Sequence, residues 1–307
     1  MKKVFHKYLI TGIPLLAAGL MFSACEDGIS PELEKAGPIL VVDAWLTNLP
    51  GAQVITITET QPYFENALPP GVSGANVSVV DDQGKVYVFQ EGQGGKYTWM
   101  PVSTEVFGQT GRTYTLTVEY NGDTFTSTSR MGRVPAIDSL TFTFEEENPF
   151  LPDSYLADFW ATDLPGPHDT YRIKTWKNGV LLNKPSELNL AYDAGFSAGG
   201  NFDGVTFITP IRQGINPFEE DENKELLSPY LPGDSIYVEI HSISLEAFNF
   251  LNEVAIQTDR PGGFSELFAT PLSNVSTNIV NKDPAGKPVL GFFNVAAVSG
   301  LGKRFKQ

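Results

Sequence analysis

The chain has 307 residues, 41% of them hydrophobic and 12% aromatic, with 36 acidic side chains against 21 basic ones. That apolar content excludes an intrinsically disordered chain. The net charge of −15 argues against a nucleic-acid partner, because such a surface repels phosphate. A single cysteine excludes a disulfide framework.

The first residues carry Lys2, Lys3 and Lys7 and no acid, and an apolar run follows from Tyr8 to Phe22, interrupted by Pro14. The run is shorter than the roughly 20 residues a membrane-spanning helix needs. A basic start, a short apolar middle and small residues before a break describe a secretory signal peptide over 1–24. The break, Phe22-Ser23-Ala24-Cys25, resembles a bacterial lipobox, with Phe22 in place of the usual Leu. The expected product starts at Cys25, its thiol lipidated with palmitate-type chains. Several acyl chains, at roughly 0.8 kcal/mol per buried methylene, anchor it permanently. Glu26 and Asp27 are similar to the acidic export signals that send such proteins to the cell surface, the alternative being a periplasmic face. Residues 25–38 read as the lipidated cysteine and its tether, and the chain after position 24 carries a net charge of −18.

From Leu40 the apolar period becomes two. Strands are expected over 40–45, 54–60, 75–80, 85–90, 96–100, 113–120 and 123–129, with Asp81-Asp82-Gln83-Gly84 and Asn121-Gly122 as hairpin turns. Seven short strands with regular turns predict an immunoglobulin-like β-sandwich over 39–132. Gly111-Arg112-Thr113-Tyr114 resembles the tyrosine corner of such folds.

A second β-rich domain is expected over 133–307. Its strands fall over 137–144, 155–162, 170–177, 205–211, 235–242 and 290–298, before a short basic tail, and Asn178-Gly179 turns the third into Val180-Leu181-Leu182. One helix is predicted over 244–258. Ser244 is its N-cap, Glu246 suits the positive end of its dipole, and Leu245, Phe248, Leu251, Val254 and Ala255 form the packed face.

Chemistry is sparse. Gly195-Phe196-Ser197-Ala198-Gly199 matches G-x-S-x-G, but Gly200, Asn201 and Phe202 make a poor helix start, and His168 and His241 stand in no motif. Neither catalytic residues nor a cofactor are expected. Glu219, Glu220, Asp221 and Glu222 lack the alternating ligands and central glycine of a calcium loop, so they read as a solvated run, with surface calcium as the alternative. Tyr155, Phe159 and Trp160 are candidates for stacking on sugars, against an ordinary core role. Two acidic loops, 145–154 and 213–234, carry apolar residues amid charge, as an interface requires. Phe150, Leu151, Phe218 and Tyr230 are the expected partner contacts, against aromatics folded back on the sheet.

Leu40-Val41-Val42, Trp45-Leu46-Thr47, Gly74-Ala75-Asn76-Val77, Gly111-Arg112-Thr113-Tyr114-Thr115-Leu116, Ile137-Asp138-Ser139-Leu140, Phe202-Asp203-Gly204, Gly233-Asp234-Ser235-Ile236, and Asn278 with Gly291-Phe292-Phe293 occur in an order that resembles a domain-of-unknown-function family of Bacteroidota outer-membrane lipoproteins. Members are commonly encoded beside TonB-dependent receptors. The resemblance implies an accessory role in nutrient uptake with such a receptor as partner, and carries over no catalytic residue. A surface adhesion or envelope structural module is the alternative.

Overall fold

A computed structural model of the chain describes residues 37–62, 65–148, 151–260 and 262–306. The signal segment, Cys25 and the tether up to residue 36 lie outside the described residues. Seven strands open the fold: β1 (Leu40–Thr47), β2 (Gln53–Glu59), β3 (Asn76–Asp81), β4 (Val86–Glu91), β5 (Lys96–Trp99), β6 (Thr113–Tyr120) and β7 (Asp123–Arg130). They pair as β1-β2-β5-β4 and β3-β6-β7, the strand order of a seven-stranded immunoglobulin-like sandwich, and β3 also pairs with β4 from Val77–Phe89 to Val80–Val86, so the two halves are one continuous sheet. Alternation dictates which face is inside. Val42, Ala44 and Leu46 from β1, Ile55 and Ile57 from β2, and Leu116 and Val118 from β6 have no exposed surface.

The local turn chemistry behaves as the sequence requires. Asn121 and Gly122 both take positive φ, 51° and 88°, so β6 and β7 are joined by a two-residue turn whose twist matches the strands. Tyr114 is fully buried, and its hydroxyl meets the backbone of Gln109, accepting from the amide at 2.6 Å. This is the tyrosine corner.

The sandwich also takes strands from the far end of the chain. β14 (Val280–Asn281) pairs with β7, and β15 (Val289–Ala296) lies parallel to β1 over its whole length, Leu40 opposite Val289 and Thr47 opposite Ala296. The sheet thereby has nine strands and nearly closes, with the Val295 amide donating to Ser129 Oγ on β7 at 3.1 Å. Phe293 and Val295 are buried in the sandwich core, so the expected boundary near 133 does not divide the chain cleanly. Pro38–Gln307 forms one compact unit. The parallel junction depends on Gly291. Its φ is +101°, and a Cβ there would lie 2.0 Å from the Val42 carbonyl oxygen.

The remaining elements build a second core. β8 (Ile137–Glu145) and β9 (Ser154–Ala161) form a hairpin. A five-stranded sheet unites β10 (Thr170–Lys177), β11 (Val180–Leu181), β12 (Asn189–Tyr192), β13 (Ser235–Ile243) and β16 (Val298–Arg304). The basic tail expected after 298 is therefore strand β16. Its Gly300 and Gly302 conceal the β pattern, and Tyr237 occupies the space their side chains would fill. Residues 205–211 are not a strand: after one bridge at Thr206 the chain turns into α1 (Thr209–Gln213). Pro210 has no amide hydrogen to give a sheet and suits a helix's first turn.

The long helix, α2 (Leu245–Thr258), forms as expected, Ser244 Oγ accepting from the Ala247 amide at 3.1 Å. Its buried face is Ala247, Phe248 and Leu251, whereas Leu245 is largely exposed. The helix packs on the outer face of the β1–β15 pair, where Phe250 stacks on Phe292 at 4.6 Å and meets Trp45 at a tilt, 6.2 Å between ring centres.

Candidate functional site

The second acidic loop packs against β9 at Tyr155, the residue that follows the first. The first closes the β8–β9 hairpin, with Asn148 bridging to Leu151 and Asp153 accepting from the Glu147 amide at 2.8 Å. The second passes beside it: Tyr155 bridges to Tyr230, and its amide donates to Ser228 Oγ at 2.9 Å. Leu151 is half-buried, Phe218 is 68% exposed, and Leu227 and Leu231 are exposed nearby in sequence. Phe150 lies outside the described residues. Tyr230 is a correction. It is fully buried, its hydroxyl donates to the Ile215 carbonyl at 2.6 Å, and its ring meets Phe142 edge-on, so it is a core residue and not a surface contact. The loop 213–234 is thus packed toward its two ends, with Ile215, Asn216 and Tyr230 inside, and exposed between them, around a turn that the Asp221 carboxylate stabilises.

A polar cluster that no motif announces joins the sandwich exit to the second core. Asp163, Asp169 and Asp193 place carboxylate oxygens within 4.8 Å of one another. Arg133, just after β7, reaches across to Asp169. Its Nε donates to both Asp169 oxygens, at 2.9 and 3.2 Å, and its other nitrogens reach the carbonyls of Leu164, Pro165 and Gly166. Tyr171 donates its hydroxyl to Asp163 Oδ1 at 2.6 Å, and the Gly204 amide donates to Oδ2 at 3.1 Å. Asp193 accepts from the Asp169 amide at 2.9 Å. Burial raises the Asp163 carboxyl above its ordinary value, and burial together with the Asp163 carboxylate pushes the Tyr171 phenol well above its own. Three carboxylates could suit a hard cation. Here a guanidinium, a phenol and two backbone amides already engage them, so the arrangement works as a clamp between segments. Sequence reading missed it because its members are scattered over sixty residues without a period.

The other sequence candidates stay apart. Ser197 is exposed in a turn after β12, whereas His168 Nδ1 meets the Tyr192 hydroxyl at 2.5 Å and His241 Nε2 meets Glu239 Oε2 at 2.7 Å. Neither histidine is hydrogen-bonded to the serine. Of the proposed stacking residues, Phe159 is fully buried and Tyr155 half-buried. Trp160 is 38% exposed, but the Arg212 guanidinium lies 3.8 Å from its ring centre and the indole N–H donates to Thr141. Arg212 faces Asp158 at 3.5 Å in a largely buried pair.

The sequence matches the family described as Domain of unknown function (DUF4249) over residues 26–300. The chain belongs to that family. Comparison with curated proteins gives no match. The DUF4249 match spans both acidic loops, the Arg133 clamp and Gly291. Among the described residues of this DUF4249 chain, no helix is long and apolar enough to cross a membrane.

Proposed function

We propose that the protein is a lipid-anchored outer-membrane accessory protein, exposed at the cell surface, that partners a TonB-dependent receptor in nutrient uptake by binding and not by catalysis. The observation that carries this reading is Cys25. It is the chain's one cysteine, it follows a signal-like segment and the small pair Ser23-Ala24, and two acids follow it. Anchoring confines the protein to the bilayer, where a receptor meets it at high effective concentration, so modest intrinsic affinity suffices. The adjoining loops, with Leu151, Phe218, Leu227 and Leu231 amid acids, supply an apolar centre with a charged rim for such a contact.

The test is metabolic labelling with a fatty acid, followed by affinity capture from membranes in mild detergent. Cys25→Ala is expected to lose the label and the membrane fraction, and the wild type to retrieve an outer-membrane receptor. Label retained by the variant would remove the anchor reading. A labelled wild type that retrieves no receptor would favour an adhesion or envelope module, which the immunoglobulin-like sandwich serves equally well.

A further inference from the structure

The residues following α2 group several strongly exposed apolar side chains. A 3-10 segment, Gly263–Phe268, presents Phe264, Leu267 and Phe268 at 77%, 75% and 79% exposure, and Leu272 follows at 60%. The Phe264 and Phe268 rings meet edge-on at 5.7 Å, so they form one knob and not two scattered side chains. The segment is held in place. Arg260 pairs with Glu266 and donates to the Thr270 carbonyl at 2.8 Å, and the Ser273 amide returns to Gln257 on the helix at 3.1 Å. Soluble surfaces rarely expose contiguous apolar groups of this kind without a partner.

Its place in the fold indicates the partner. α2 starts where the Ser244 amide donates to Asn294 Oδ1, near the end of β15 remote from Leu40, and passes Phe292 as it descends. Fourteen helical residues rise about 21 Å, and the strand from Asn294 back to Val289 spans about 17 Å. The helix thus carries the knob toward the end of the sandwich where Leu40 pairs with Val289. That is also where the chain leading back to Cys25 joins the fold. Thirteen residue steps separate Cys25 from Pro38, a reach of at most about 45 Å. Between positions 253 and 273 the single basic residue is Arg260, which is paired, while Glu253, Asp259 and Glu266 are acidic. Attraction to anionic headgroups therefore contributes little, and apolar insertion would have to carry any lipid contact.

We infer that Phe264, Leu267, Phe268 and Leu272 form a second membrane contact, entering the interface of the bilayer to which Cys25 is anchored and orienting the sandwich on it. This rests on the lipid-anchor reading. A tether by itself fixes distance but not orientation, whereas a tether and a knob at the end where it attaches fix both. The opposite end, with β16 and the acidic loops, is then turned away from the lipid.

The test couples the chain from Cys25 onward, through that one thiol, to a maleimide-bearing phospholipid in zwitterionic phosphatidylcholine vesicles. Attachment is then independent of acylation in the cell, so failure of the anchor reading and failure of this inference are separate results. Phe268→Trp is compared with Val180→Trp, an exposed position on β11, in vesicles with and without brominated acyl chains. The tryptophan added at 268 is expected to lose its emission in brominated vesicles and the one at 180 to keep it. Equal emission from both in brominated vesicles would overturn the inference. So would loss of quenching at 268 together with self-association of the coupled protein, which would assign the knob to a second copy of the chain.

Discussion

Replacing Arg133 by Ala takes a guanidinium from a site where three carboxylates crowd within 4.8 Å. The side chain makes a two-oxygen contact with Asp169 and reaches the carbonyls of Leu164, Pro165 and Gly166. A hydrogen bond to a charged group contributes about 1.5–3 kcal/mol, and breaking a buried pair costs about 3–5 kcal/mol. Arg133 is 40% exposed, so water replaces part of what it supplies and the lower figures apply. The expected loss of unfolding free energy is about 2–3 kcal/mol, read as a lower urea midpoint at unchanged slope. Its pH dependence separates electrostatics from packing. Burial and the neighbouring Asp169 charge already raise Asp163 above 3.8. A carboxyl raised in the folded state stabilises most at low pH, and that contribution is lost as pH rises through the folded value. Without Arg133 the folded Asp163 carboxyl holds its proton to higher pH, so the variant's deficit should shrink as pH falls from neutral toward the ordinary carboxylate range. A deficit below about 0.5 kcal/mol, the scale of a neutral surface change, would refute the clamp. A deficit that does not vary with pH would refute its electrostatic basis.

Gly291→Ala should cost at least about 2 kcal/mol, because it places a side chain against the Val42 carbonyl at a strongly positive φ; a thermal melt matching wild type would show that the β1–β15 junction tolerates it. Burial holds His241 below its ordinary 6.5, so its neutral form favours the folded state fully above 6.5 and that stabilisation declines as pH falls below it. Urea midpoints of His241→Gln should therefore fall less than those of wild type over the same acid range, and parallel declines would assign the acid sensitivity elsewhere.

Local physics wrote much of this protein into its sequence. Period-two runs specify strands because alternate side chains must face one core, Asn121-Gly122 and Asn178-Gly179 specify tight turns because they accept positive φ, and Ser244 starts α2 because its hydroxyl satisfies a free amide. Seven such strands in order, with Tyr114 at its corner, were sufficient for the immunoglobulin-like sandwich. Signals spread along the chain were not readable in this way. That β15 crosses back to lie beside β1, that Gly300 and Gly302 belong to a strand under Tyr237, and that Tyr230 sits inside a core are settled by partners distant in sequence. The same holds for Arg133, which meets Asp169 beside Asp163 and Asp193 only in the folded chain, and for the Phe264–Phe268 knob. Its exposure depends on where α2 ends relative to the sandwich, and a linear pattern of apolar residues cannot distinguish a side chain with a neighbour to cover it from one without.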